Sequence, residues 1–317
     1  MESEAEAGSG QMTQPKQGYA AVLVGIVPFF LSALFFLSAI FTLFAPLPLL
    51  LLRIRSGRGL AALAALTNAA LIFGLAGKSS LIIYGVSVVL LAAVMSEAIE
   101  RLRSLERVAF VTWGILILTA VLSFLSYSKV HQVHPTEYYR AQMAGVLDYI
   151  QQTQSASQGA HLSGAEWNEW REGVMSELPS ALAIFALVMV WANLMSMLRL
   201  SPVRVRERLG LGVDYVRLWK TPEWLVFPVI VSGFFQLVTV PLVSEVCLNV
   251  FRVLMTLYAI QGLSILSFLF DVWKIQGFFR TTGFLIAIFV MMPLLLAIGF
   301  FDLWFDFRSK LRQSYQG

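Results

Sequence analysis

Residues 243–270, VSEVCLNVFRVLMTLYAIQGLSILSFLF, decide how this chain must be read. Only Glu245 and Arg252 carry charge in this run. As a helix rising 1.5 Å per residue it reaches roughly 42 Å, against roughly 30 Å for the hydrocarbon core of a bilayer. A continuous apolar run of that length reads as a spanning helix, long enough to tilt strongly or to project into the cytosol. Pro241 sets it off from the preceding run by a tight turn.

Working outward, further apolar runs occupy residues 19–52, 59–76, 81–95, 108–127, 178–197, 223–240 and 281–301. The first would reach roughly 50 Å as one rod, so it divides near residues 42–48, where Pro46 and Pro48 remove backbone donors. The expected fold is therefore all-α: a polytopic transmembrane helical bundle with eight membrane helices, or nine with that split. Composition agrees. The 317 residues are 58% hydrophobic and 13% charged, with mean hydropathy +0.74, where a soluble domain carries about a quarter charged residues. The continuous runs exclude a β-barrel, which would show short alternating segments.

Charge orients the bundle. Arg53, Arg55 and Arg58 mark one connection, Arg101, Arg103 and Arg107 a second, and residues 199–220, with Arg204, Arg206, Arg208 and Arg217, the richest. All three fall on one side, expected to be cytoplasmic, and Lys274 and Arg280 agree. The net charge of +4 is thus explained without a nucleic-acid partner. Arg308, Lys310 and Arg312 resist this topology, since they would lie outside. Residues 128–177 form a long external loop with an acidic balance, expected to hold helices near 138–152 and from about Ser163, where Ser163 and Glu166 have capping-box spacing. The domain reading is a disordered tail over 1–18, a six-helix membrane core over 19–199 that includes loop 128–177, a basic cytoplasmic loop over 200–222, a three-helix membrane unit over 223–303 and a tail over 304–317. No signal peptide is expected, and the single Cys247 excludes an internal disulfide.

Candidate sites follow from polar residues in apolar places. Glu245, Asn249, Arg252 and Thr256 recur at spacings of four, three and four, so they share one helix face, to which Ser267 returns. Ionisable groups in spanning helices face a bundle interior or a water-filled cavity, which makes this face a candidate ligand or ion site, or else a structural link between helices. Gln261 points away from the stripe and needs another partner. Ala61, Ala65 and Ala69 repeat at four, a surface for internal packing or for a partner membrane subunit. Asp302 and Asp306 share a face, and Asp306 can pair with Lys310. Residues 74–79, Gly-Leu-Ala-Gly-Lys-Ser, mimic a phosphate loop but carry Ile72 where the pattern needs glycine, so a membrane-edge turn is expected. His131, His134, Glu137 and His161 read as a solvated loop, because Pro135 interrupts any helix aligning the first two histidines. No metal and no cofactor are expected.

Several motifs carry a resemblance: Ala45-Pro46-Leu47-Pro48 followed by Arg55 to Arg58, Leu178-Pro179, Pro222-Glu223-Trp224-Leu225-Val226, Asn249, Gln261-Gly262 and the segment Asp302 to Arg308. In their order they resemble the YybS-like family of predicted bacterial membrane proteins, over residues 28 to 312. That family is in turn distantly similar to the substrate-binding membrane subunits of energy-coupling-factor transporters, which implies a six-helix core with both ends cytoplasmic. The last three helices have no counterpart there. The reading is a transport-type or ligand-binding subunit of the bacterial inner membrane, without its own ATPase, working with membrane partner subunits. The alternative is a membrane scaffold or assembly factor acting through its external loop. An enzyme is not expected: GxSxG, HExxH and paired intramembrane aspartates are missing from the spanning runs.

Overall fold

The computed structural model describes residues 29–156, 164–200, 202–209 and 219–310, and every element among them is helical. The expected 1–18 tail, Ser163, His161, Arg217 and Arg312 lie outside the described residues. The chain divides into two compact units. One holds residues 1–112 and 189–205, the other 113–188 and 206–317.

In the first unit, helical residues 29–37 end in a turn where Ala39 takes a positive φ of 56°. A 3-10 turn at Thr42–Phe44 follows, then α1, Pro46–Ser56. The split expected near residues 42–48 is therefore found. Proline suits the first turn of α1, where backbone N–H groups have no helical acceptor anyway. Helix α2, Arg58–Tyr84, continues through a π-helical turn, Gly85–Leu90, into α3, Leu91–Arg101. This stretch is no straight rod. Gly77 sits at φ 80° and ψ −175°, a conformation closed to side-chain-bearing residues. The chain folds back there, because Arg58 lies 3.0 Å from Glu97 and 3.2 Å from Glu100. Residues 74–79 are thus a hairpin turn between two helical arms, each roughly 28–36 Å long.

Both arms face the same turn of helix 29–37. Asn68 donates to the Phe29 carbonyl at 2.8 Å, while Ser32 meets the Tyr84 hydroxyl at 2.9 Å and donates to the Ala45 carbonyl at 2.8 Å. Asn193, from the incoming end of a later helix, donates to the Leu43 carbonyl at 2.8 Å. At the mouth of the hairpin, Arg53, Arg58 and Arg101 converge on Glu97. Two of the three basic clusters read from the sequence therefore meet on shared carboxylates.

The second unit begins within α4, Leu105–Val130, and includes α5, Pro135–Ala156, and most of α6, Gly164–Leu200. The first loop helix was expected near 138–152 and is longer. The second is not separate, since α6 runs through Pro179 into the apolar segment without ending. After α7, Pro202–Leu209, and a 3-10 turn at Glu223–Leu225 come α8, Val226–Phe235, α9, Pro241–Val272, α10, Gly277–Phe289, and α11, Met292–Phe305.

By length and apolarity, four helical stretches among the described residues can span a membrane, or five if α10 and α11 count as one broken span. This does not support the expected eight or nine. The expected run 223–240 holds only α8, which is too short to cross. The last expected helix is bent by 92° between α10 and α11. That bend also corrects the placement of the C-terminal charges. Lys220 holds Asp306 at 2.7 Å and Arg308 donates to the Trp219 carbonyl at 2.9 Å, so the end of the chain lies with the segment that follows the basic stretch, not opposite it.

Helices α9 and α11 touch backbone to backbone. A Cβ on Gly299 would fall 1.9 Å from the Tyr258 carbonyl oxygen, and one on Gly262 2.2 Å from that of Leu295. In lipid, where no hydrophobic drive pairs helices, small residues permit this close packing. Gly299→Ala is expected to force the helices apart, at about 1–3 kcal/mol for overpacking, and to lower the thermal midpoint of the detergent-purified protein by several degrees. Gly114→Ala, whose Cβ would meet nothing within 4 Å, should leave the midpoint unchanged or raise it.

Candidate functional site

The α9 face read from the sequence lies against the break in α6. Pro179 has no N–H, so the Met175 carbonyl one turn earlier loses its helical donor. The Tyr139 hydroxyl of α5 supplies one at 2.7 Å. Burial pushes the Tyr139 phenol above its usual range, which keeps this donor protonated. One residue on, the Asn249 carboxamide completes the repair. It accepts from the Ser180 N–H at 3.2 Å and donates to the Ser176 carbonyl at 3.3 Å, and it also donates to the Glu245 carbonyl at 2.8 Å. Asn249 thus clasps α9 to both lips of the proline break.

Arg252 lies three residues along and pairs with Glu177 at 2.8 Å, while its Nη1 is buried without an acceptor. Thr256 returns its hydroxyl to the Arg252 carbonyl at 3.0 Å. The Glu245 side chain is exposed. The four residues therefore share a face, with two of them spent on α6. Ser267 serves another contact, receiving Arg280 at 2.8 Å beside the Arg280–Asp271 ion pair. His131 stacks on Tyr127 with ring centroids 4.1 Å apart, and Pro135 opens α5 directly after His134.

Directly along α6 from this clasp, an open groove of about 590 Å³ runs between the two helices of the former loop. Arg140, Ala141 and Ala144 of α5 form one wall; Asn168, Arg171, Glu172 and Met175 of α6 form the other. The helices are held together by Tyr139 at one end, and Leu147 of α5 and Trp167 of α6 are buried further along. Arg171 reaches Asp148 only at 3.6 Å, and its Nε is buried with no acceptor. Arg140 has no carboxylate within ion-pair distance among the described residues. The groove was not visible in the sequence as a site. Its signal was present: Arg140, Ala141 and Ala144 share one helix face by spacing, as do Asn168, Arg171, Glu172 and Met175.

The most enclosed charges lie elsewhere. Asp302 is fully buried and Arg308 nearly so, and they pair at 2.9 Å. Gln261 donates to Asp302 at 3.0 Å and accepts from the Thr221 N–H at 2.9 Å, which identifies the partner that residue required. The Phe307 N–H donates to the other Asp302 oxygen at 2.9 Å. Asp302 and Asp306 therefore take different cations, Arg308 and Lys220, and do not act as a pair. Lys220 beside Asp306 holds its carboxyl below the usual carboxylate range. In the alanine row, Ala61 is buried and Ala65 and Ala69 are half-buried, so the stripe lies on the packed side of α2 together with buried Asn68.

Two outcomes are expected. Asn249→Leu removes both bonds to the broken helix and should destabilise by about 1–3 kcal/mol for the polar groups left unpaired, whereas Tyr139→Phe, losing one bond, should cost less; thermal unfolding of both variants measures the order. Because the folded-state pKa of Asp306 is depressed, the Lys220–Asp306 contact stabilises above the ordinary carboxylate pKa of about 4. It is lost as pH falls through the depressed value. Asp306→Asn should therefore narrow the difference in thermal midpoint between neutral and acidic pH.

No curated protein and no solved structure matches the chain. A family described as "Predicted membrane protein (DUF2232)" matches residues 20–303, from before the first described helix to within α11. The chain belongs to this family of predicted membrane proteins, DUF2232.

Proposed function

We propose that this chain is a ligand-binding membrane subunit of transport type, and that its ligand enters by the α5–α6 groove. The observation that carries this reading is the groove itself. It joins two arginines, a carboxylate and a carboxamide with the apolar side chains of Ala141, Ala144 and Met175. Concave sites of this kind, mostly apolar with a few convergent polar groups, are where small ligands bind. Met175 is followed by Ser176 and Glu177, the residues that hold Asn249 and Arg252. A ligand in the groove would thus bear on the clasp between α6 and α9. The sequence resemblance to energy-coupling-factor substrate-binding subunits favours the same class, with ATP hydrolysis left to partner chains in a bacterial inner membrane and no chemistry done by this one.

A second reading has one observation in its favour. Tyr149 is 71% exposed and Val146 53% on α5, and Trp170 is 40% exposed on α6, which suits a scaffold that docks a protein on this helical pair. Photo-cross-linking from Tyr149 that yields one discrete protein adduct would favour it.

The test of the leading reading is thermal unfolding of the purified full chain against pools of vitamins, nucleosides, amino acids and phosphorylated amines, with uptake by proteoliposomes containing its membrane partners. At least one pool should raise the midpoint, and Arg140→Ala should weaken that ligand about tenfold, the loss of roughly 1.4 kcal/mol. No stabilisation by any pool, no uptake, and Arg252→Ala behaving as wild type would reject it.

A further inference from the structure

We propose that the α5–α6 groove recognises a zwitterionic aminoalkyl phosphate, the chemistry shared by a phosphoethanolamine lipid headgroup and free phosphoethanolamine. The inference rests on the ligand-binding reading above and adds the ligand class.

The first argument is charge. Two guanidinium groups, Arg140 and Arg171, line the groove with a single carboxylate, Glu172. Arg171 has a buried Nε with no acceptor, and its 3.6 Å approach to Asp148 leaves its fork able to take a better one. A planar guanidinium matches the oxygens of a phosphate, and two of them suit a group that carries more than one negative charge or several oxygens. Glu172 is exposed. A simple anion would have to tolerate that carboxylate, and a simple cation would have to tolerate both arginines. A molecule with a phosphate at one end and a primary ammonium at the other satisfies all three. Asn168, with both donor and acceptor atoms, accepts either orientation.

The second argument is depth. The apolar part of α6 begins at Leu178, and Arg171 and Glu172 precede it by roughly 9–10 Å of helix rise. The polar headgroup layer extends about 5–8 Å beyond each face of the hydrocarbon core. The charged walls therefore stand just outside the headgroup layer, from which a long arginine side chain can reach down to the lipid phosphates, with Met175 below them toward the acyl chains. Ala141 and Ala144 leave the space that a larger side chain would fill.

The test uses the full chain in nanodiscs of equimolar phosphatidylethanolamine, phosphatidylglycerol and phosphatidylcholine, extracted gently, with retained lipid counted by native mass spectrometry. Phosphatidylethanolamine should be retained about fivefold over phosphatidylglycerol, which has the phosphate without the ammonium. Glu172→Gln should remove that preference while keeping retention, and Arg140→Ala should lower retention of both. Displacement of retained lipid by millimolar phosphoethanolamine, but not by alanine, would support a site open to the soluble compound. Retention that resists phosphoethanolamine would support the headgroup as the source. Equal retention of phosphatidylethanolamine and phosphatidylglycerol by the wild-type chain, or a preference unchanged in Glu172→Gln, overturns the proposal. If another pool then stabilises the protein through Arg140, only the ligand class is wrong. If no pool does, the ligand-binding reading falls with it.

Discussion

The Asp302–Arg308 pair is shut off from solvent at both ends, and the C-terminal half of the molecule is arranged around it. A charge in an apolar surround costs several kcal/mol unless a partner and hydrogen bonds compensate it. Here the compensation comes from three separate stretches of chain. Gln261 of α9, the Trp219 carbonyl, the Phe307 N–H and Arg308 itself all address one carboxylate or its cation. Satisfying Asp302 therefore fixes where α11 ends, which way α9 faces, and where the segment before α8 enters. The contact between Gly299 and Tyr258 could not form in a different register without stranding that charge.

The same requirement operates at smaller scale throughout the apolar helices. With no water to satisfy backbone groups, each break in a helix needs a side chain to repair it. Pro179 leaves a carbonyl that Tyr139 fills, and Asn249 bridges the turn beside it. The turn after helix 29–37 is answered by Ser32 and Asn193, which reach the carbonyls of Ala45 and Leu43. These polar residues are committed to holding helices together. Arg140, Glu172 and the unsatisfied edge of Arg171 are not, and they lie together in a groove where a small molecule would meet them. That contrast is the reason for placing ligand recognition at the α5–α6 pair and not deeper in the bundle.

Much of this was legible in the residues. Long uncharged runs gave the helical membrane architecture, the paired prolines at 46 and 48 located the first break, and the spacing of Asn249 and Arg252 put them on a shared face. What failed was the count of crossings. Apolarity does not distinguish a helix that crosses from one that stops short or bends, and the ten residues of α8 and the 92° turn before α11 look like spans to any hydropathy argument. The C-terminal charges that resisted the expected topology were the warning, and the Arg308 bond to the Trp219 carbonyl, with the Lys220–Asp306 pair beside it, explains it. The groove was hidden for another reason. Its walls come from helices separated by residues 157–163, and neither wall alone concentrates enough charge to be noticed.

The claim that one buried ion pair organises the C-terminal unit is tested most directly by a double-mutant cycle. Asp302→Ala, Arg308→Ala and the double variant would be unfolded thermally and with denaturant in the same detergent. Each single change leaves a buried charge without its partner and is expected to cost about 3–5 kcal/mol. The double variant should then cost at least about 2 kcal/mol less than the sum of the two. Strictly additive losses, or two single variants as stable as wild type, would contradict the account.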